Sequence, residues 1–92
     1  MILSFRHKGL ERFFSTGSTK GIQAIHAAKL RLQLTALNVA RGPQDLHDPS
    51  WRLHSLSGNR LGFYALTVHA NWRLTFQFLD QDVELLDYLD YH

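Results

Sequence analysis

The chain has 92 residues, enough for one domain, 1–92, with a small core. It contains no cysteine and no apolar run long enough to cross a bilayer. A disulfide-stapled secreted scaffold and a membrane-bound protein are thereby disfavoured, and a reducing, cytoplasmic setting is expected. Net charge is only +2, but residues 1–73 carry +7 and residues 74–92 carry −5. A basic body of this kind attracts polyanions, whereas the acidic C-terminal segment argues against a simple basic arm.

Residues 1–5 read as a short strand. Residues 8–14 read as a short helix, with Leu10, Phe13 and Phe14 inward and Gly17 as its stop. Residues 18–21 form a turn into the main helix, expected over 22–41. There Ala27, Leu30, Leu34 and Leu37 recur at helical spacing, while Lys29, Arg31 and Arg41 fall outside the stripe. Gly42-Pro43 ends it, and residues 43–50 form a loop with one short helical turn at 43–46.

The hydrophobic period then shortens to that of a strand. Tyr64, Leu66 and Val68 alternate with Phe63, Ala65 and Thr67. Trp72, Leu74, Phe76 and Phe78 alternate with Arg73, Thr75 and Gln77. His69-Ala70 and Asp80-Gln81-Asp82 are the connecting turns, and 83–91 is the last strand. The fold class is therefore α+β: two N-terminal helices on a twisted antiparallel sheet.

Alternation has a chemical consequence. If the Trp72 face meets the helices, Arg73, Thr75 and Gln77 line the opposite face. A guanidinium on a strand interior is held firmly and suits a phosphate. Arg60 sits between Gly58 and Gly62 in a turn that can bring a cation and backbone N–H groups to an anion. His54 precedes that turn. The sequence closes on Asp90-Tyr91-His92: a carboxylate, a phenol and an imidazole. Such groups are adequate for metal-free RNA cleavage, in which the 2′-OH attacks its own phosphate.

The chain resembles the HigB-type toxins of type II toxin–antitoxin modules, in the RelE superfamily. The resemblance begins with Ile2-Leu3-Ser4-Phe5-Arg6-His7-Lys8-Gly9-Leu10. It strengthens in Arg52-Leu53-His54-Ser55-Leu56-Ser57-Gly58-Asn59-Arg60 and Asn71-Trp72-Arg73-Leu74-Thr75-Phe76, and it ends on Asp90-Tyr91-His92. It implies a microbial-RNase-like fold and a ribosome-dependent mRNA endonuclease acting in the 30S A site without metal or cofactor. It also implies a HigA-type helix-turn-helix antitoxin, through which alone the toxin would meet operator DNA. By the same resemblance His54, Arg73, Asp90, Tyr91 and His92 are the expected catalytic residues. Arg52, Arg60, Lys8 and Arg6 are the expected RNA-contacting cations. The pattern departs at Ser57, where some relatives carry lysine.

Two other readings belong to different classes. A ParE-like inhibitor of DNA gyrase would tolerate loss of His92 and leave mRNA intact. A plain nucleic-acid-binding module would keep its affinity without His92. A zinc site built from His54, His69 and Asp90 is disfavoured, because the spacing matches no compact ligand motif.

Overall fold

The computed structural model describes residues 1–91. Helix α1 (Lys8–Thr16) starts at His7, whose Nδ1 accepts the Leu10 N–H at 2.9 Å. It stops at Gly17, whose φ of 80° suits a residue without a Cβ and whose N–H donates to the Phe13 carbonyl at 2.8 Å. Leu10 and Phe13 are buried as expected, but Phe14 is 39% exposed. Adjacent aromatics on a helix point about 100° apart, so only one of them can face the core.

Helix α2 (Ala27–Val39) is shorter than the pattern predicts, because residues Ala24–His26 form a tighter turn before it. Leu30, Leu34 and Leu37 are buried. Gln33 is buried beside them, and its Nε2 donates to the Thr67 carbonyl at 2.8 Å. A further tight turn, Pro43–Asp45, follows the helix where one was expected.

The sheet has four antiparallel strands in chain order: β1 (His54–Ser55), β2 (Phe63–His69), β3 (Trp72–Leu79) and β4 (Asp82–Asp90). Ala70 and Asp80 take positive φ in the two hairpin turns. Helices α1 and α2 cover one face, where Leu66, Val68, Leu74, Phe76, Val83, Leu86 and Tyr88 join the core. Strand β4 keeps that face apolar on both sides of a bulge: Thr75 pairs with Asp87 but Gln77 with Glu84, and the inserted Leu85 has φ 56°.

Residues 1–5 are not a regular strand. They lie parallel to β4 through two separate bridges, Ile2 to Val83 and Phe5 to Leu86. The bulge interrupts the ladder between them, and the Ser4 hydroxyl accepts the Leu85 N–H there at 2.9 Å. No helix among the described residues is long and apolar enough to cross a membrane.

An aromatic and imidazole cluster fills the helix side near the end of β4. Trp72 lies 4.6 Å from Tyr88 between ring centres, and the buried His26 stands against both. The Tyr88 hydroxyl accepts the Gln23 N–H at 3.3 Å and shares a hydrogen bond of 2.6 Å with His26 Nδ1. His7 and His69 flank the pair. Burial, then the neighbouring His69, holds the His26 pKa below its ordinary value.

The unfolded chain therefore binds a proton at His26 more readily than the folded chain does. Stability is full above the ordinary histidine pKa and falls as pH drops through the lowered one. The thermal midpoint should decrease from pH 7.5 to pH 5, and His26→Gln should flatten that slope. An unchanged slope in the variant would exclude His26 as its source.

Candidate active site

The face away from the helices collects most of the predicted cations. His54, Ala65, Thr75 and Asp87 form one row across all four strands. Thr67, Arg73 and Leu89 form the next row, and Phe63, Gln77 and Glu84 lie on the other side. The alternation of β3 thus delivers Arg73 to this face as expected. Thr75 departs from the expectation of a polar group in solvent: it is fully buried. Arg60 reaches over it from the β1–β2 connection and donates from Nη2 to the Thr75 hydroxyl at 3.1 Å.

His54 is exposed, on a two-residue edge strand. Its Nδ1 lies 2.9 Å from the Arg52 carbonyl, which can only accept. In the neutral ring the proton therefore sits on Nδ1, and Nε2 keeps a lone pair for a mobile proton. Arg52 itself turns the chain into β1 with φ 49°. Its carbonyl sets the His54 tautomer while its side chain is exposed.

Arg73 sits one row from His54. Its Nη1 donates to the carbonyls of Ala70, at 2.5 Å, and Trp72, at 3.1 Å. The guanidinium is thereby fixed at the β2–β3 turn. The Tyr91 N–H donates to the Asn71 carbonyl of that turn at 2.8 Å. Tyr91 and Arg73 therefore share one corner of the sheet. Asp90 faces Trp72 across the ladder, and Tyr91 is 41% exposed. His92 lies outside the described residues.

The predicted residues thus form two groups. Arg73 and Tyr91 meet at the β2–β3 turn, with Asp90 on the Trp72 side of β4, while His54 stands on β1, three strand spacings or about 14 Å from β4 along a flat sheet.

Arg6 joins the open face from the far edge. It follows Phe5 beside β4, yet its guanidinium carbon lies 5.5 Å from the centre of the Phe63 ring on β2. Arg60 is also 5.5 Å from that ring. Lys8 is exposed in the first turn of α1. Ser57 is exposed and opens the tight turn Gly58–Arg60, where Arg60 is the cation of that loop. Sequence reasoning missed two participants, Phe63 and Asp87. The row partners of His54 could have been named only once its strand was recognised.

Fold and site together define a small α+β domain with arginines and an imidazole on the uncovered face of an antiparallel sheet. Residues 3–92 match the family described as RelE-like toxin of type II toxin–antitoxin system HigB, and the chain belongs to that family. It is 42% identical to the protein named Endoribonuclease HigB of Proteus vulgaris, over all of both chains. It is 35% identical to Toxin HigB-1 of Vibrio cholerae serotype O1, over all of this chain and 98% of that one. A crystal structure of a YafQ mutant from E. coli shares the fold, with TM-score 0.60 and 17% identity over 96% of this chain and 89% of that one. Membership of a type II toxin family gives the chain an antitoxin partner.

Proposed function

We propose that the chain is an endoribonuclease toxin that cuts mRNA in the ribosomal A site and so stops translation. Family membership and the full-length likeness to an endoribonuclease support the activity. The observation that carries the reading at the site is the gathering of His54, Arg73, Arg60 and Arg6 on one open sheet face.

In the proposed reaction the RNA 2′-oxygen bonds to the adjacent phosphorus while the bond from phosphorus to the 5′-oxygen breaks. The 2′-OH proton passes to a base, and an acid protonates the departing 5′-oxygen. The products carry a 2′,3′-cyclic phosphate and a 5′-hydroxyl, and no metal is required. Arg73 holds the scissile phosphate against its growing charge. His92 is the principal proton-transfer residue, oriented by Asp90, and Tyr91 stacks on or hydrogen-bonds to a base. His54 transfers the second proton through Nε2. Arg52 and Lys8 add long-range attraction for RNA. The partner is a HigA-type helix-turn-helix antitoxin, and operator DNA is reached only through it.

A pulse of controlled expression in bacterial cells tests the reading. Wild type should arrest growth and create new mRNA 5′ ends inside translated frames, and His92→Ala should do neither. Arrest without cuts, unchanged in the variant, would replace the nuclease by a gyrase-type inhibitor.

A further inference from the structure

Two arginines from opposite edges of the sheet converge on one phenyl ring. Arg6 comes from the segment outside β4 and crosses β4 and β3 to reach Phe63 on β2. Arg60 comes from the β1–β2 connection. Each guanidinium carbon is 5.5 Å from the ring centre, so the two carbons lie within about 11 Å of each other. The ring takes part in positioning both, since a cation over an aromatic face is attracted by the ring quadrupole. Thr75 adds a second restraint on Arg60: its buried hydroxyl accepts from Nη2.

Two acids lie on the same face: Glu84 in the row of Phe63 and Asp87 in the row of Thr75, and among the described residues neither forms an ion pair with Arg6 or Arg60. Glu84 accepts from Gln77 Nε2 at 2.6 Å, and Asp87 accepts the Tyr88 N–H at 2.9 Å. Two cations held at one ring both attract an anion bound beside it. Forked donors on a rigid post suit a phosphodiester, which a guanidinium can grip with two parallel hydrogen bonds. Phe63 lies four residues from Thr67, the ladder partner of Arg73. That places the pair about 13 Å along the strand from the row of Arg73.

We propose that Arg6 and Arg60, spaced by Phe63, form a second phosphate subsite that grips single-stranded RNA away from the scissile bond. The proposal rests on the RNA-cleaving reading above and deepens it. Arg73 would hold the reacting phosphate and the Arg6–Phe63–Arg60 group a neighbouring stretch of backbone, fixing the direction in which RNA lies across the sheet. A phosphate contact of this kind is indifferent to base identity. Phe63 is a positioning residue: it touches the arginines rather than the reacting atoms.

The test measures binding of a fluorescein-labelled 12-nucleotide oligouridylate with 2′-O-methyl groups, which cannot be cut. Affinity is read at several salt concentrations for wild type, Arg6→Gln, Arg6→Gln/Arg60→Gln, Phe63→Leu and, as a control, Arg41→Gln just beyond the end of α2. The slope of log affinity against log salt should shrink by about 0.7 for each lost contact on a single strand. The double variant should thus lose about 1.4 from its slope and at least tenfold in affinity at low salt. Phe63→Leu, which keeps bulk but removes the ring quadrupole, should lose several-fold with both arginines present. Arg41→Gln should match wild type.

A double variant that binds like wild type, or no better and no worse than Arg41→Gln, would overturn the subsite. So would wild type failing to bind at low salt. Equal losses for decaglutamate would overturn it too, by making the pair a docking point for an acidic protein. Failure of the endonuclease reading looks different: wild type would bind the oligomer through these arginines and yet make no cuts on expression. Arg6 is exposed, so its single variant keeps the test valid if the double variant melts early.

Discussion

His54→Gln should lower mRNA cleavage on translating ribosomes by about two to four orders of magnitude, the usual contribution of a positioned proton-transfer group. Glutamine can still donate to the Arg52 carbonyl, so the local backbone bond at His54 has a replacement. Its amide nitrogen cannot take up and give back a proton as an imidazole nitrogen does. The thermal midpoint should barely move, because His54 is exposed on an edge strand of two residues. The measurement is a time course of cleavage by purified protein alongside its melting curve. Cleavage within threefold of wild type, with an intact fold, would remove His54 from the chemistry and leave proton transfer to the chain end alone. Affinity for an uncleavable RNA should change little, which separates proton transfer from binding.

The helix side of this domain was readable because its signals are local. Leu30, Leu34 and Leu37 repeat at helical spacing, and Leu74 and Phe76 alternate along β3, so each declared its own buried face. The boundaries were less readable. The main helix pattern runs through Ala24–His26, but Tyr88, distant in sequence, binds the backbone at Gln23 and the ring of His26, and a tighter turn forms there. Strand β1 was missed because two exposed residues cannot show a period. The Leu85 bulge left a trace in the adjacent apolar pair Leu85-Leu86, which breaks alternation.

The open face was half readable for the same physical reason. Alternation placed Arg73 on it, since neighbours on one strand must take opposite sides. Alternation also predicted Thr75 in solvent, and an arginine from the preceding loop covers it instead. Arg6 reaches Phe63 from the other end of the chain, across two strands. Contacts between distant segments leave no period in a sequence. They appear only when the ladder register is known, so the row from His54 to Asp87 and the arginine pair above Phe63 are properties of the fold.

Phe76→Ala should destabilise the domain by about 3–5 kcal/mol, the usual loss for a fully buried aromatic. Phe76 has no exposed surface and packs against Tyr64 and Phe78 as well as the helices. A domain of this size typically has about 5–15 kcal/mol in total, so the variant should approach the threshold of folding at growth temperature. It should also lose toxicity, although Phe76 faces away from His54 and Arg73. Loss of toxicity alone is therefore no evidence for a site in so small a protein. Phe76→Leu separates the two causes: it refills most of the volume, so most of the stability and the toxicity should return together. The check is chemical denaturation of both variants beside growth on expression. If Phe76→Ala melted like wild type and still lost toxicity, the helix side of the sheet would carry function that the open face does not explain.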